Sequence, residues 1–99
     1  MKMIQMYVDA MDDEIDGAKN YAEKYVECKA KGDMNKANRY KEMAGDELKH
    51  AMYQHEWAVA AIDEVPKVFK APSAMEEAWT KAHKEYVEKV AWIKQMLAM

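Results

Sequence analysis

Apolar residues recur along most of the chain at alternating steps of three and four positions, which is the spacing of one face of an α-helix. Gly32 and Asp33 interrupt this pattern. Glycine suits the position just past the end of one helix, and aspartate suits the N-cap of the next. We therefore predict a first helix over about residues 2–31. Its inward stripe is Ile4, Tyr7, Met11, Glu14, Ala18, Tyr21, Tyr25 and Cys28.

The second helix is predicted over about residues 33–65, because Pro66 cannot continue it. Small residues dominate its stripe, so that another helix can come close. The first and second helices should form an antiparallel hairpin around Gly32. The stripe of the second helix is Ala37, Tyr40, Ala44, Glu47, Ala51, Gln54, Ala58, Ala61 and Val65.

A link over about residues 66–72 separates this hairpin from a third helix, predicted over about residues 74–97. Ser73 and Glu76 have the spacing of a capping box, with Ser73 at the N-cap. The third helix carries one more apolar stripe. Its members are Met75, Trp79, Ala82/His83, Tyr86, Val90, Ile93 and Leu97. Residues 1–99 are therefore expected to be a single all-α domain.

Composition narrows the possible functions of such a domain. The net charge is −3 with both signs interspersed, so no basic stripe favours a nucleic-acid partner. No apolar run approaches the roughly 18 residues of a membrane span. The single Cys28 cannot form an internal disulfide and indicates a reducing, cytosolic location. Ten Met residues suggest that some apolar surfaces face a partner chain, because Met packs without a fixed geometry.

Glu14 is the exception in the first stripe, because a carboxylate among inward apolar residues is costly unless it is paired or bound to a metal. On the second helix, Glu47 and His50 stand three residues apart and share a face. Glu14 precedes Gly32 by about as many residues as Glu47 and His50 follow it. At 1.5 Å per residue, the three side chains come within about 5 Å of one level along the hairpin.

These residues resemble the ferritin-like di-iron carboxylate family, in particular its rubrerythrin and bacterioferritin branches. The resemblance rests on Glu14 and Tyr21, followed by the Glu47-x-x-His50 motif. It implies that Glu14 and Glu47 are carboxylate ligands and His50 an imidazole ligand of two irons, with manganese or zinc also possible. The implied activity is oxidation of Fe(II) by dioxygen or peroxide.

The chain departs from the full family pattern, which has a second Glu and a second Glu-x-x-His. The third helix offers only Thr80-x-x-His83, without an acid. A twofold homodimer would restore the ligand set, with two irons shared between subunits, as in encapsulated ferritins, which are similar in using short chains. Alternatively, His83 completes a poorer metal site within one chain, or it is an ordinary core histidine.

Two other functions stay open at the level of the sequence. The chain could be a non-catalytic helical interaction module, such as an accessory or virion-associated protein, on a ferritin-like scaffold. The residues Glu14, Glu47 and His50 would then form a buried hydrogen-bonded cluster. A plain three-helix bundle without a site would require their equal heights to be an accident. Whether the protein is an enzyme, of a ferroxidase or peroxidase type, is not decided by the motif.

Overall fold

A computed structural model describes residues 2–64 and 73–99, and it gives the side chains of residues 4–64 and 76–99. These ranges contain three α-helices and no strand: α1 is Lys2–Ala30, α2 is Met34–Asp63 and α3 is Ser73–Leu97. The predicted all-α class is thus confirmed, with helix ends within two residues of those expected. The predicted roles of Val65, of Pro66, of the 66–72 link and of the Ser73 side chain fall outside the described residues.

The turn between α1 and α2 forms as the sequence predicts. Gly32 has a φ of +80°, a left-handed conformation that glycine adopts without strain. The N–H of Gly32 donates to the carbonyl of Lys29 at 3.0 Å, and that of Asp33 donates to the carbonyl of Cys28 at 2.9 Å. This is the Schellman arrangement that ends many helices. The Asp33 side chain then accepts the N–H of Lys36 at 3.1 Å, which caps α2.

An alanine at every seventh position of α2 holds the hairpin together. All four side chains are completely buried: Ala37, Ala44, Ala51 and Ala58. Because the distance between packed helices depends on the side chains at the contact, this row brings α1 and α2 close together. The helices run antiparallel, since Tyr7 contacts Trp57 near one end and Tyr21 contacts Tyr40 near the turn.

The third helix packs mainly on α1 and runs parallel to it. Lys89 lies 4.0 Å from Asp16, and the Lys29 ammonium donates a hydrogen bond to the Met99 carbonyl. One hydrophobic core joins the three helices, and its buried members are Met11, Ile15, Ala18, Ala22, Ala51, Ile93 and Met96.

The stripe predicted for α1 needs a correction. Ile15 and Ala22 are buried although they are not in it, whereas Tyr7, Glu14, Tyr21 and Cys28 are only half-buried. Two neighbours, α2 and α3, contact α1 from different sides, so its buried surface is wider than one heptad stripe. Successive helical residues are about 100° apart, and Glu14 therefore leans away from the α3 side that Ile15 faces.

Among residues 2–64 and 73–99, no third helix covers one side of the hairpin, and we call this side the open face. It is defined by Tyr7, Glu14, Gly17 and Tyr21 of α1 and by Tyr40, Met43, Glu47, His50 and Trp57 of α2. Within residues 2–64 and 73–99, no helix combines the length and hydrophobicity needed to cross a membrane.

Candidate metal centre on the open face

Glu14, Glu47 and His50 come together at the middle of the open face. Each offers one ligand atom, and these atoms all lie within 4.8 Å of one another. The His50 Nδ1 lies 3.4 Å from the Glu14 Oε2 across the two helices. The sequence predicts that these three side chains lie at one level along the hairpin, and this prediction is confirmed. The tight turn at Gly32 keeps α1 and α2 in register.

The two carboxylates of this group interact directly. A hydrogen bond with Glu14 raises the pKa of Glu47 above its usual value, and burial and the charge of Glu14 act in the same direction. His50 opposes this rise. Two carboxylates this close repel each other when both are ionised, and either a shared proton or a cation relieves that repulsion.

Gly17 makes room for the Glu47 carboxylate. A Cβ atom at position 17 would lie 3.1 Å from the Glu47 Oε2, which is tighter than ordinary van der Waals contact. Glycine inside a helix costs about 1 kcal/mol relative to alanine, so its presence in α1 requires a reason. Sequence reasoning did not assign Gly17 to the site, although a glycine in the middle of an otherwise regular helix was a signal that could have found it.

Aromatic pairs flank the carboxylates on both sides along the hairpin. Tyr7 and Trp57 lie 6.3 Å apart between ring centroids, and Tyr21 and Tyr40 lie 6.2 Å apart. Each pair joins α1 to α2 about two turns from Glu14. The centre of the open face is thus polar, and both of its ends are aromatic.

The group is open to solvent on one side. The side chain of His50 is 54% exposed and that of Glu14 is 29% exposed. Large apolar neighbours are exposed as well, since Trp57 retains 52% and Met43 40% of its surface. A metal ion held by these three residues would therefore have ligand positions left on the solvent side.

His83 does not belong to this group. It lies beside His55, with 5.1 Å between ring centroids, and near Trp79 and Tyr86. The α3 helix packs on the other side of the hairpin, so the sequence alternative in which His83 completes the Glu14 site receives no support from the fold. His55 is half-buried on the side of α2 that faces α3.

The donor set fits a divalent metal. Two carboxylates and one imidazole suit iron, manganese and zinc, and the repulsion between Glu14 and Glu47 favours a cation between them.

No protein-family model matches the chain, and no curated protein or solved structure is significantly similar to it.

Proposed function

We propose that this chain is a small ferritin-like protein that binds iron at Glu14, Glu47 and His50 and oxidises Fe(II) with dioxygen or peroxide. One observation supports it above all. Two carboxylates and an imidazole, predicted from the spacing of the sequence, converge within 4.8 Å on the uncovered side of a helical hairpin. A free Cys28 fits a reducing, cytosolic location for this function.

The proposed site is shared between two copies of the chain. One chain supplies three ligands on one side and leaves the other side exposed, which is half of the ligand set of a di-iron centre. A second copy, related by a twofold axis through the open face, supplies the same three residues from the opposite side. Trp57 and Met43 give this contact an apolar surface to bury.

Each residue of the site has a defined task in this proposal. Glu14 and Glu47 would hold the cations with their carboxylates and would neutralise part of their charge. His50 in its neutral form presents a nitrogen lone pair on the exposed side. The Tyr21–Tyr40 and Tyr7–Trp57 pairs limit water access from both ends once the two faces meet. Two irons bound together would supply the electrons that reduction of dioxygen requires.

The direct test is Fe(II) binding under anaerobic conditions, with Glu47→Gln as the variant. We expect the unaltered protein to bind about one iron per chain, the ratio of a di-iron dimer. Admission of air should then produce near-ultraviolet absorbance. Glu47→Gln keeps the shape but removes a charged ligand, so affinity should fall by at least about tenfold, the scale on which even supporting residues of metal sites act.

The matched control is Glu23→Gln, the same chemical change at an exposed position of α1 outside the group. It should bind iron as the unaltered protein does. Equal iron binding by Glu47→Gln and Glu23→Gln would overturn the proposal.

Gly17→Ala separates the stability of the protein from its metal site. Alanine should stabilise α1 by up to about 1 kcal/mol in the metal-free protein, because it is a better helix former. Its Cβ would also push the Glu47 carboxylate by a few tenths of an ångström, since the contact would otherwise be 3.1 Å. We expect a higher midpoint of urea unfolding together with weaker Fe(II) binding. A variant that is more stable and binds iron equally well would show that the space beside Gly17 is not needed by the ligand.

The second candidate function is a non-catalytic interaction module on the same scaffold. The exposed apolar side chains of the open face, Trp57 and Met43 among them, favour it. Glu14, Glu47 and His50 would then form a hydrogen-bonded cluster that fixes the register of the hairpin. Metal analysis of protein purified without chelator separates the two candidates, because only the metal-binding protein should retain iron, manganese or zinc in proportion to chain.

A further inference from the structure

A pair of histidine side chains lies at the seam between α2 and α3. His55 of α2 and His83 of α3 have ring centroids 5.1 Å apart. The Tyr86 ring stacks on His55 at 4.6 Å, and Trp79 lies 5.7 Å from it. The proposed iron site uses none of these four residues.

The His55 side chain has one buried nitrogen atom at this seam. Its Nε2 atom is enclosed and has no hydrogen-bond partner among the described residues. An imidazole nitrogen carries either a proton to donate or a lone pair, and an enclosed nitrogen without a partner costs free energy. Burial, and then the neighbouring His83, lower the pKa of His55 below its usual value. His55 is therefore neutral near pH 7, which is the form that binds metal ions.

The distance between the two rings matches shared coordination. In a tetrahedral zinc site, with Zn–N bonds of about 2.0–2.1 Å, two imidazoles on one ion have their ring centres roughly 5 Å apart. The separation of 5.1 Å between the His55 and His83 ring centroids is close to this value.

We propose that His55 and His83 form a bis-imidazole site for zinc, copper or nickel, distinct from the carboxylate-rich site on the open face. Zinc, copper and nickel ions bind imidazole more tightly than manganese or ferrous ions do. The chain thus has two sites that differ in ligand chemistry, one rich in carboxylate and one made of imidazole.

On the side away from α1, His83 borders an open cavity that also contains a charged pair, Lys84 and Glu88. The cavity has a volume of about 520 Å³, and His83 lies in its wall together with Trp79, Val59 and Val87. Glu88 lines the same cavity and brings a carboxylate to it. Water can therefore reach an ion at His83 and complete its coordination.

An ion at this site would join α2 directly to α3. The backbone of α3 packs mainly on α1, so the contact between α2 and α3 depends on the side chains at this seam. Because the ion would bind the folded protein and not the unfolded chain, it should raise the melting temperature as its concentration increases.

The test is titration of the Glu47→Gln protein with Zn²⁺, followed by calorimetry and by thermal unfolding. This background weakens the carboxylate site, so the result does not depend on the proposed iron function. We expect one Zn²⁺ per chain and a rise in melting temperature. His83→Gln, at an exposed position where folding is tolerant, should weaken Zn²⁺ binding by at least about tenfold and remove the thermal shift. His55→Phe, which keeps an aromatic ring against Tyr86, should do the same.

The matched control is Lys81→Gln in the same background, at an exposed position of α3 that does not line this cavity, and it should leave the zinc affinity unchanged. With Cu²⁺ as the probe, the electron paramagnetic resonance spectrum should show coupling to two imidazole nitrogens, and to one in His83→Gln. Zinc binding that survives His83→Gln, or that is weakened equally in Lys81→Gln, would overturn this site.

Discussion

Ala51→Leu is expected to destabilise the protein by about 3 kcal/mol, the upper part of the usual range for an overpacked core. Ala51 is completely buried and belongs to the core formed with Met11, Ile15 and Ala18. A leucine at this position has no space unless α1 and α2 move apart. Since Ala51 follows His50 directly, such a movement would also separate His50 from Glu14. The free energy of urea unfolding, followed by far-ultraviolet circular dichroism, measures the effect.

Ala60→Leu provides the control for this prediction. It adds the same side chain to the same helix at an exposed position. Its unfolding free energy should stay within about 0.5 kcal/mol of the unaltered protein, as is usual for surface substitutions. If Ala51→Leu and Ala60→Leu were equally stable, the close approach of α1 and α2 along the alanine row would be wrong.

Trp57→Glu is expected to convert the proposed dimer to a monomer. Trp57 is 52% exposed on the open face, where a second copy would bury it. Loss of a buried tryptophan commonly costs an interface about 2 kcal/mol or more, and a buried unpaired carboxylate adds to this cost. The dissociation constant should therefore rise at least about thirtyfold, since 1.4 kcal/mol corresponds to tenfold. Light scattering should give the mass of two chains for the unaltered protein and the mass of one chain for Trp57→Glu.

Trp92→Glu is a closely matched control, because Trp92 is 53% exposed but lies on α3, away from the open face. It should leave the dimer intact. Iron binding should weaken in Trp57→Glu, although Glu14, Glu47 and His50 are unchanged, because half of the ligands come from the partner. A monomeric unaltered protein that still binds iron at one per chain would contradict the shared site.

The turn and the three-residue site were predictable from the sequence because each depends on local geometry. Gly32 and Asp33 mark the turn through backbone conformation and capping, which are properties of a few neighbouring residues. Once the turn is placed, the fixed rise of a helix sets the height of Glu14 against Glu47 and His50. The position of the site along the hairpin therefore follows from counting residues.

The residues that contact α3 were harder to predict. Ile15 and Ala22 are buried, and His55 meets His83, although neither result follows from a heptad stripe. Which faces of three helices meet depends on the side from which α3 approaches, and many approaches are compatible with amphipathic helices. The role of Gly17 likewise becomes visible only when the Glu47 carboxylate is seen beside it.

The sequence by itself determined the helices, their turn and the shared height of Glu14, Glu47 and His50, because these depend on short-range periodicity and on a fixed rise per residue. Only the tertiary structure decided that α3 covers one side of the hairpin and leaves Glu14, Glu47 and His50 on the other. That choice also placed His83 beside His55 instead of beside Glu14. It depends on how three buried surfaces fit together, which is a property of packing and not of any single stretch of the chain.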